Sequence, residues 1–472
     1  MEPDYDAIVV GSGPNGLVAA VTFARSGRRV LVVEAAPTVG GGTRSAELTE
    51  PGFVHDVCSA IHPLGIGSPA MRALPLERHG LRWIHPDAPL AHTLDDHSVL
   101  LERSVAETAA HLGADGGTWR RLFGRFEHDG LEIVDGVLSA LSIPRHPFRM
   151  AGFGRSAMRS AQGLGRRFDG DDAAALFAGV AGHAILPFDK AATAGVGLFL
   201  GGLAHAVGWP MAAGGSQSIA DALVGELRVH GGEVECERPV RSLDELPSSR
   251  VVLADVVPRN LVAMAGDRLP ARVRRAYERF RHGPGVFKVD YALSAPVPWR
   301  DPATARAATV HVGGTFAEVA EAEAAPGRGE HAERPFVLVV QQSLFDPSRA
   351  PAGKHTLWAY CHVPAYSTVD MTDAIDRQIE RFAPGFRDTI IARHVAFPSD
   401  VESGNANYIG GDISAGVNDV RQLFTRPTVS LRPWITGAKG LYLCSASTPP
   451  GAGVHGMSGF HAARLALKRE LR

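Results

Sequence analysis

Hydrophobic and polar positions repeat with different periods along this chain, and each change of period marks an element. Ala7 to Val10 form a short apolar run that stops at Gly11, the pattern of a buried strand. Leu17, Ala20, Val21 and Ala24 then recur three and four residues apart, one stripe of a helix that Gly27 ends. In "RRVLVVE" the run becomes continuously apolar again and closes on Glu34, a second strand. Further on, Gly214 and Gly215 predict a turn, Ile219 to Leu227 an amphipathic helix and Glu233 to Val240 a strand. "VVL" in "VVLADVVPRNLVAMAG", "VFKVDYAL", "FVLVV" and "GLYLCSAS" read as further strands, and the chain closes with a helix through Ala462, Ala463, Leu465 and Ala466. Together they predict an α/β chain.

One uncharged run, Ala191 to Gly215, approaches membrane-spanning length but carries His205, Pro210 and many glycines. It is read as a buried helix inside a large domain. The 472 residues, 45% hydrophobic and 21% charged, suffice for two or three domains around real cores. Lys+Arg 48 against Asp+Glu 50 gives a net charge of -2, which offers no global field for nucleic acid or an anionic membrane. The N-terminus carries no basic-then-apolar signal pattern, so a cytoplasmic protein is expected. Cys58, Cys236, Cys361 and Cys444 are scattered without a C-x-x-C pair, which suggests neither a disulfide framework nor a zinc ribbon. His55, Cys58 and His62 have metal-like spacing without a fourth ligand, and no metal is expected.

The chemistry begins at Gly11, Gly13 and Gly16, a G-x-G-x-x-G between strand and helix that also contains Pro14 and Asn15. The first glycine permits the tight turn, the second lets backbone approach a pyrophosphate, and the third lets helix and strand pack closely. N–H groups at the helix start then face the phosphates. Glu34, followed by Ala35, ends the second strand where a carboxylate accepts ribose hydroxyls and repels a 2′-phosphate. A dinucleotide is therefore expected, with NAD and FAD both open at this point.

Beyond Glu34, "PTVGGGTRSAEL" supplies Gly40, Gly41 and Gly42 with Thr43 and Arg44 behind them. These residues resemble the FAD-dependent amine oxidase and phytoene desaturase superfamily, in which a glycine pair and a following arginine lie along the flavin and its phosphates. The resemblance continues through "GWPMAAGGSQSIADALVGELRVHGGEVECERPV", where it implies that backbone at Val240 meets the adenine. It runs through "FKVDYALSAPVPW", "NANYIGGD" and the C-terminal "GLYLCSASTPPGAGVHGMSGF". It is strongest to the phytoene desaturase-like branch with bacterial carotenoid desaturases and PYROXD-type oxidoreductases. It implies FAD as cofactor, a second cofactor contact from Ser447, Gly453, Val454, His455 and Gly456 before the last helix, and a discontinuous FAD domain over 1–75, 206–275 and 432–472. The rest, 76–205 and 276–431, becomes a mixed-sheet α+β substrate domain beside the Rossmann-type FAD-binding domain. Two departures stand out: "RSLDELPSSR" replaces a longer hairpin, and "PPGAGV" replaces "HPGGGV".

A flavin moves hydride through its own N5, so the protein mainly positions and tunes. Lys288 in "VFKVDYAL" is a candidate catalytic cation, against the alternative of a solvated edge-strand lysine. His455 is a second candidate at the border of the flavin ring. The expected reaction is dehydrogenation or saturation of C–C bonds in an apolar, isoprenoid or lipid-like small molecule, with the electron acceptor or donor left open. A flavin amine oxidase and a non-catalytic FAD-containing binding protein are the alternatives. A disulfide reductase is disfavoured by the missing cysteine pair and missing second glycine motif. Arg145 to Arg167 is basic and interleaved with Phe148, Met150, Phe153 and Met158, so peripheral contact with anionic lipid and a solvated helical face are both open.

Overall fold

A computed structural model describes residues 3–140 and 147–471. Two sheets organise them. The first is five-stranded and wholly parallel, in the order Leu441–Leu443, Ser249–Ala254, β1 (Tyr5–Val10), β2 (Val30–Val33) and Glu233–Glu235. Its strands come from three distant parts of the sequence. A parallel sheet needs both faces covered, and alternation along β1 supplies both. Ala7 and Val9 pack under α1 (Pro14–Ala24) and the last helix, Met457–Glu470, against Ala20, Phe23 and Ala462. Ile8 and Val10 face the other way, onto Leu261 and Tyr277 of the helices Pro258–Ala265 and Ala271–Glu278. Burying a side chain such as Phe23, at 0% exposure, is worth roughly 1.5–3 kcal/mol.

The second sheet has seven strands and is mixed. Its order is Ile390–Ala396, Gly285–Leu293, His355–Val363, Val337–Val340, Ala307–Val312, Ala88–Thr93, Ser98–Leu101, antiparallel throughout except where Ala307–Val312 meets Ala88–Thr93. One face carries Phe287, Val289, Val310 and Leu357 onto the helix Thr372–Phe382. The other carries Leu338, Val340, Trp358 and Tyr360 toward a helical layer that includes Asp171–Gly182 and Thr193–Ala206. The expected Rossmann-type sheet beside a mixed sheet is what the chain forms.

Local differences have physical causes. The strand expected over Glu233 to Val240 stops at Glu235, because Glu237 takes a left-handed φ of +54° that no ladder accommodates. Lys288 is not on an edge: its strand lies between two others, Lys288 pairs with Tyr360 on one side and Ala396 on the other, and all nine residues are buried. The uncharged run yields the buried helix Thr193–Ala206, and among the described residues no helix is long and apolar enough to cross a membrane. The basic stretch lies partly outside the described residues, Arg145 among them; of the rest, Phe153 packs its ring edge-on to Phe126 at 6.1 Å and Met158 is 40% exposed.

Candidate active site

The glycine loop is dictated by close approach. Gly11 has φ +98°, and a Cβ there would stand 2.9 Å from the Asp255 carbonyl oxygen. A Cβ on Gly16 would stand 2.1 Å from the Gly11 carbonyl oxygen, so the start of α1 reaches the loop only without a side chain. The last helix arrives equally close: a Cβ on Gly456 would sit 2.3 Å from Val18 Cγ2, and one on Gly459 1.8 Å from the Asn15 carbonyl oxygen. Glycines from the two ends of the sequence thus let two helix starts converge on one place.

A cavity of about 880 Å³ opens from that place. Of the residues singled out for the cofactor, Gly11, Gly13, Pro14, Asn15, Glu34, Ala35, Gly41, Gly42, Arg44, Val240, Gly453 and Val454 line it. Glu34 sits at the end of β2 and accepts from Ser12 N–H at 2.8 Å, Ser12 Oγ at 2.5 Å and Ala36 N–H at 2.9 Å. An ionised carboxylate has about four lone-pair positions, so one stays open to a further donor. Arg44 spans the Gly404 carbonyl at 3.1 Å and Glu34 at 3.6 Å, and its buried Nε has no partner. Asn15 Oδ1 is likewise buried and orphaned. Gly41 faces the first loop, where a Cβ would come within 3.1 Å of Gly13 Cα. A side-chain-free cradle, a carboxylate with room for one more donor and the charge of the Arg44 guanidinium fit a dinucleotide's phosphates and ribose.

Other candidates lie off the cavity. Gly16 serves the close packing just described. Thr43 is fully buried and donates its hydroxyl to the Gly40 carbonyl at 2.8 Å, and Ser447 donates to the Ala415 carbonyl at 2.9 Å. His455 uses both ring nitrogens locally: Nε2 contacts the Gly451 carbonyl at 3.1 Å, and Nδ1 accepts from Met457 N–H at 3.0 Å. That pattern caps the last helix, and burial lowers the ring to about 4, which keeps it neutral. Lys288 is 4% exposed, its amine is held by Asp290, and it stands 5.8 Å from the Trp358 ring centroid, behind the cavity wall. The trio with metal-like spacing diverges: His55 turns to Thr49 at 2.8 Å and His62 to Ser216 at 2.8 Å.

Sequence reasoning missed Asp255. It follows the strand Ser249–Ala254, is 7% exposed, and its Oδ2 accepts from Gly16 N–H at 2.8 Å. Burial raises its carboxyl to about 7; the Gly16 bond opposes this and nearby Glu34 adds to it. An acid directly after "VVLA" was the available signal, but nothing local says that the strand ends beside the glycine loop. Also missed was the far end of the cavity, lined by Leu200, Trp209, Leu338, Val340, Trp358 and Tyr360, with His183 at its border. Trp358 and Tyr360 alternate onto one face of their strand with ring centroids 4.9 Å apart. His183 sets its Nε2 3.1 Å from His311 Nε2, with Trp209 edge-on at 5.5 Å. Burial lowers His183 to about 3 and His62 to about 4, so this end holds neutral imidazoles.

Comparison with known proteins gives the same picture. Residues 9–74 match the NAD(P)-binding Rossmann-like domain family. Over 99% of its length the chain is 26% identical to the "pyridine nucleotide-disulfide oxidoreductase domain-containing protein 2" of Rattus norvegicus, covering 94% of that protein. An oxidoreductase structure from Methanosarcina mazei superimposes with a TM-score of 0.64 at 15% identity, covering 98% of this chain and 100% of that one. A putrescine oxidase structure with bound putrescine gives 0.63 at 17% identity, over 99% of both chains. At such identities the structural likeness is one of fold. The expected oxidoreductase class agrees with the name of the rat relative, and a dinucleotide cofactor with the Rossmann-like family match.

Proposed function

We propose that this FAD-dependent oxidoreductase dehydrogenates or saturates a C–C bond in an apolar small molecule. The observation that carries the reading is the continuity of one cavity, from the glycine cradle and Glu34 to an end walled by Leu200, Leu338, Val340 and Trp209. When bound, FAD supplies hydride transfer through its ring. The chain's own residues do the rest. Gly13 and the Asn15 that follows Pro14 offer backbone N–H groups to phosphate, Glu34 accepts a ribose hydroxyl, and Arg44 brings a positive charge. The apolar walls exclude water and bind substrate by area, about 25 cal/mol per Å² removed from water.

An amine oxidase is the rival, favoured by the fold shared with putrescine oxidase. A diamine brings positive charge, however, and the acids that border the cavity, Glu34 and Asp255, stand at the dinucleotide end. The test is direct: FAD-loaded protein is reduced chemically without oxygen and mixed with an apolar enone, then separately, in oxidised form, with putrescine in air. Return of yellow colour with a saturated ketone product is the expected outcome. Peroxide release with putrescine and no reoxidation by enone would replace this reading with the rival.

A further inference from the structure

The far end of the cavity is apolar but not featureless, and its polar atoms fall into two groups. Thr309 Oγ1 and Trp358 Nε1 belong to lining residues yet are sealed and have no partner. Tyr360 and His183 differ. Among the described residues the Tyr360 hydroxyl and His183 Nδ1 have no hydrogen-bond partner, neither is among the sealed atoms, and both residues line the cavity. His362, whose ring lies 5.5 Å from that of Tyr360, also bears electrostatically on His183. The charged side chains that border the cavity, Glu34, Arg44, Arg238, Arg241 and Asp255, gather at the dinucleotide end.

The state of His183 follows from the residue behind it. The two Nε2 atoms, 3.1 Å apart, share one proton between neutral rings. His311 is fully buried, and its Nδ1 has no partner. A sealed N–H without an acceptor is rarer, and costs more, than a sealed lone pair without a donor. The orphaned His311 Nδ1 is therefore the bare nitrogen and its Nε2 carries the proton, which it donates to His183 Nε2. His183 then holds its own proton on Nδ1, the nitrogen left for the cavity. Tyr360 offers a second donor, because its hydroxyl, pushed well above its ordinary range mainly by burial, stays protonated.

We propose that this end of the cavity selects a neutral, mostly apolar molecule carrying one acceptor oxygen of the carbonyl type, which Tyr360 and His183 hold by donated hydrogen bonds. The inference rests on the flavin oxidoreductase reading and narrows its substrate. A pure hydrocarbon would leave both donors without an acceptor, and a cationic amine would meet donors, the carboxyl near Tyr360, Glu323, being buried off the cavity and held by His362 at 2.7 Å. His311 acts through His183 and is a positioning residue.

Three ligands of matched skeleton separate the cases: 4-phenyl-2-butanone, butylbenzene and 4-phenylbutan-2-amine, titrated calorimetrically into FAD-loaded protein. The ketone is expected to bind at least fivefold more tightly than the other two, the factor for about one net hydrogen bond. Tyr360→Phe, which keeps the ring, and His183→Phe are each expected to remove about fivefold from ketone affinity and leave butylbenzene unchanged. Butylbenzene or the amine binding as tightly as the ketone overturns the inference, as does Tyr360→Phe leaving the ketone-to-hydrocarbon ratio unaltered. Both results leave the flavin reading standing when FAD is bound in the same sample. A chain that takes up no FAD overturns that reading and this inference with it.

Discussion

Asp255→Asn tests how the glycine loop is held before the cofactor arrives. The carboxyl is pushed from its ordinary 3.8 to about 7, burial being the main cause. At roughly 1.4 kcal/mol per pH unit, that displacement corresponds to about 4 kcal/mol. The sign is unusual for an acid. The folded chain binds the proton more tightly than the unfolded one, so the contribution to stability is complete below pH 3.8 and is lost as pH rises through about 7. Asparagine keeps an oxygen to accept from Gly16 N–H at the present 2.8 Å but never ionises. Urea unfolding of the cofactor-free variant and parent from pH 5 to 9 is therefore expected to show the variant gaining on the parent as pH rises. The gap should level off above about pH 7, at up to about 4 kcal/mol. The FAD pyrophosphate would add negative charge beside this carboxyl, so the variant should also lose less FAD affinity between pH 6 and 8. A stability difference independent of pH, or a variant less stable than the parent at pH 8, would refute the assignment of Asp255 as the buried, proton-holding acid of the loop.

Gly459→Ala places a methyl 1.8 Å from the Asn15 carbonyl oxygen, which is backbone and cannot swing aside. The two helix starts must separate, at a cost of about 1–3 kcal/mol in urea unfolding and with weaker FAD retention on gel filtration. Lys288→Met strands the buried Asp290 carboxylate, and a loss of about 3–5 kcal/mol is expected. Adding Asp290→Asn should recover most of that loss, since the pair and not the lysine alone is what the core requires, and a double-mutant cycle without coupling would contradict this. Glu34→Gln keeps one acceptor oxygen, turns the other into a donor and removes the charge, so FAD affinity is expected to fall while discrimination against a 2′-phosphorylated dinucleotide relaxes, measured by competition.

The legible parts of this molecule were the local ones. Gly11, Gly13, Gly16 and Glu34 lie within one strand–helix–strand unit, so spacing alone carries their meaning. Gly456 was recognisable at the other end because it sits between a buried strand and a helix, although its job is to clear Val18. The unreadable parts are those assembled from afar. His183, Thr309, Leu338 and Tyr360 reach one cavity from four separate elements. Trp358, Tyr360 and His362 alternate onto one face of a strand that the apolar pattern had not singled out, and the edge-strand alternative for Lys288 stayed open because nothing in "VFKVDYAL" tells how many strands flank it. Asp255 shows the same limit, since its meaning depends on β1 lying beside its strand in parallel register, Val10 opposite Ala254.

The most direct measurement is the visible spectrum and flavin content of the purified chain after incubation with FAD and removal of the excess. The account predicts a yellow protein holding one FAD per chain, with the band displaced on adding 4-phenyl-2-butanone. A colourless protein that cannot be loaded with FAD, although folded by circular dichroism, would contradict the cavity's assignment as a flavin and substrate site.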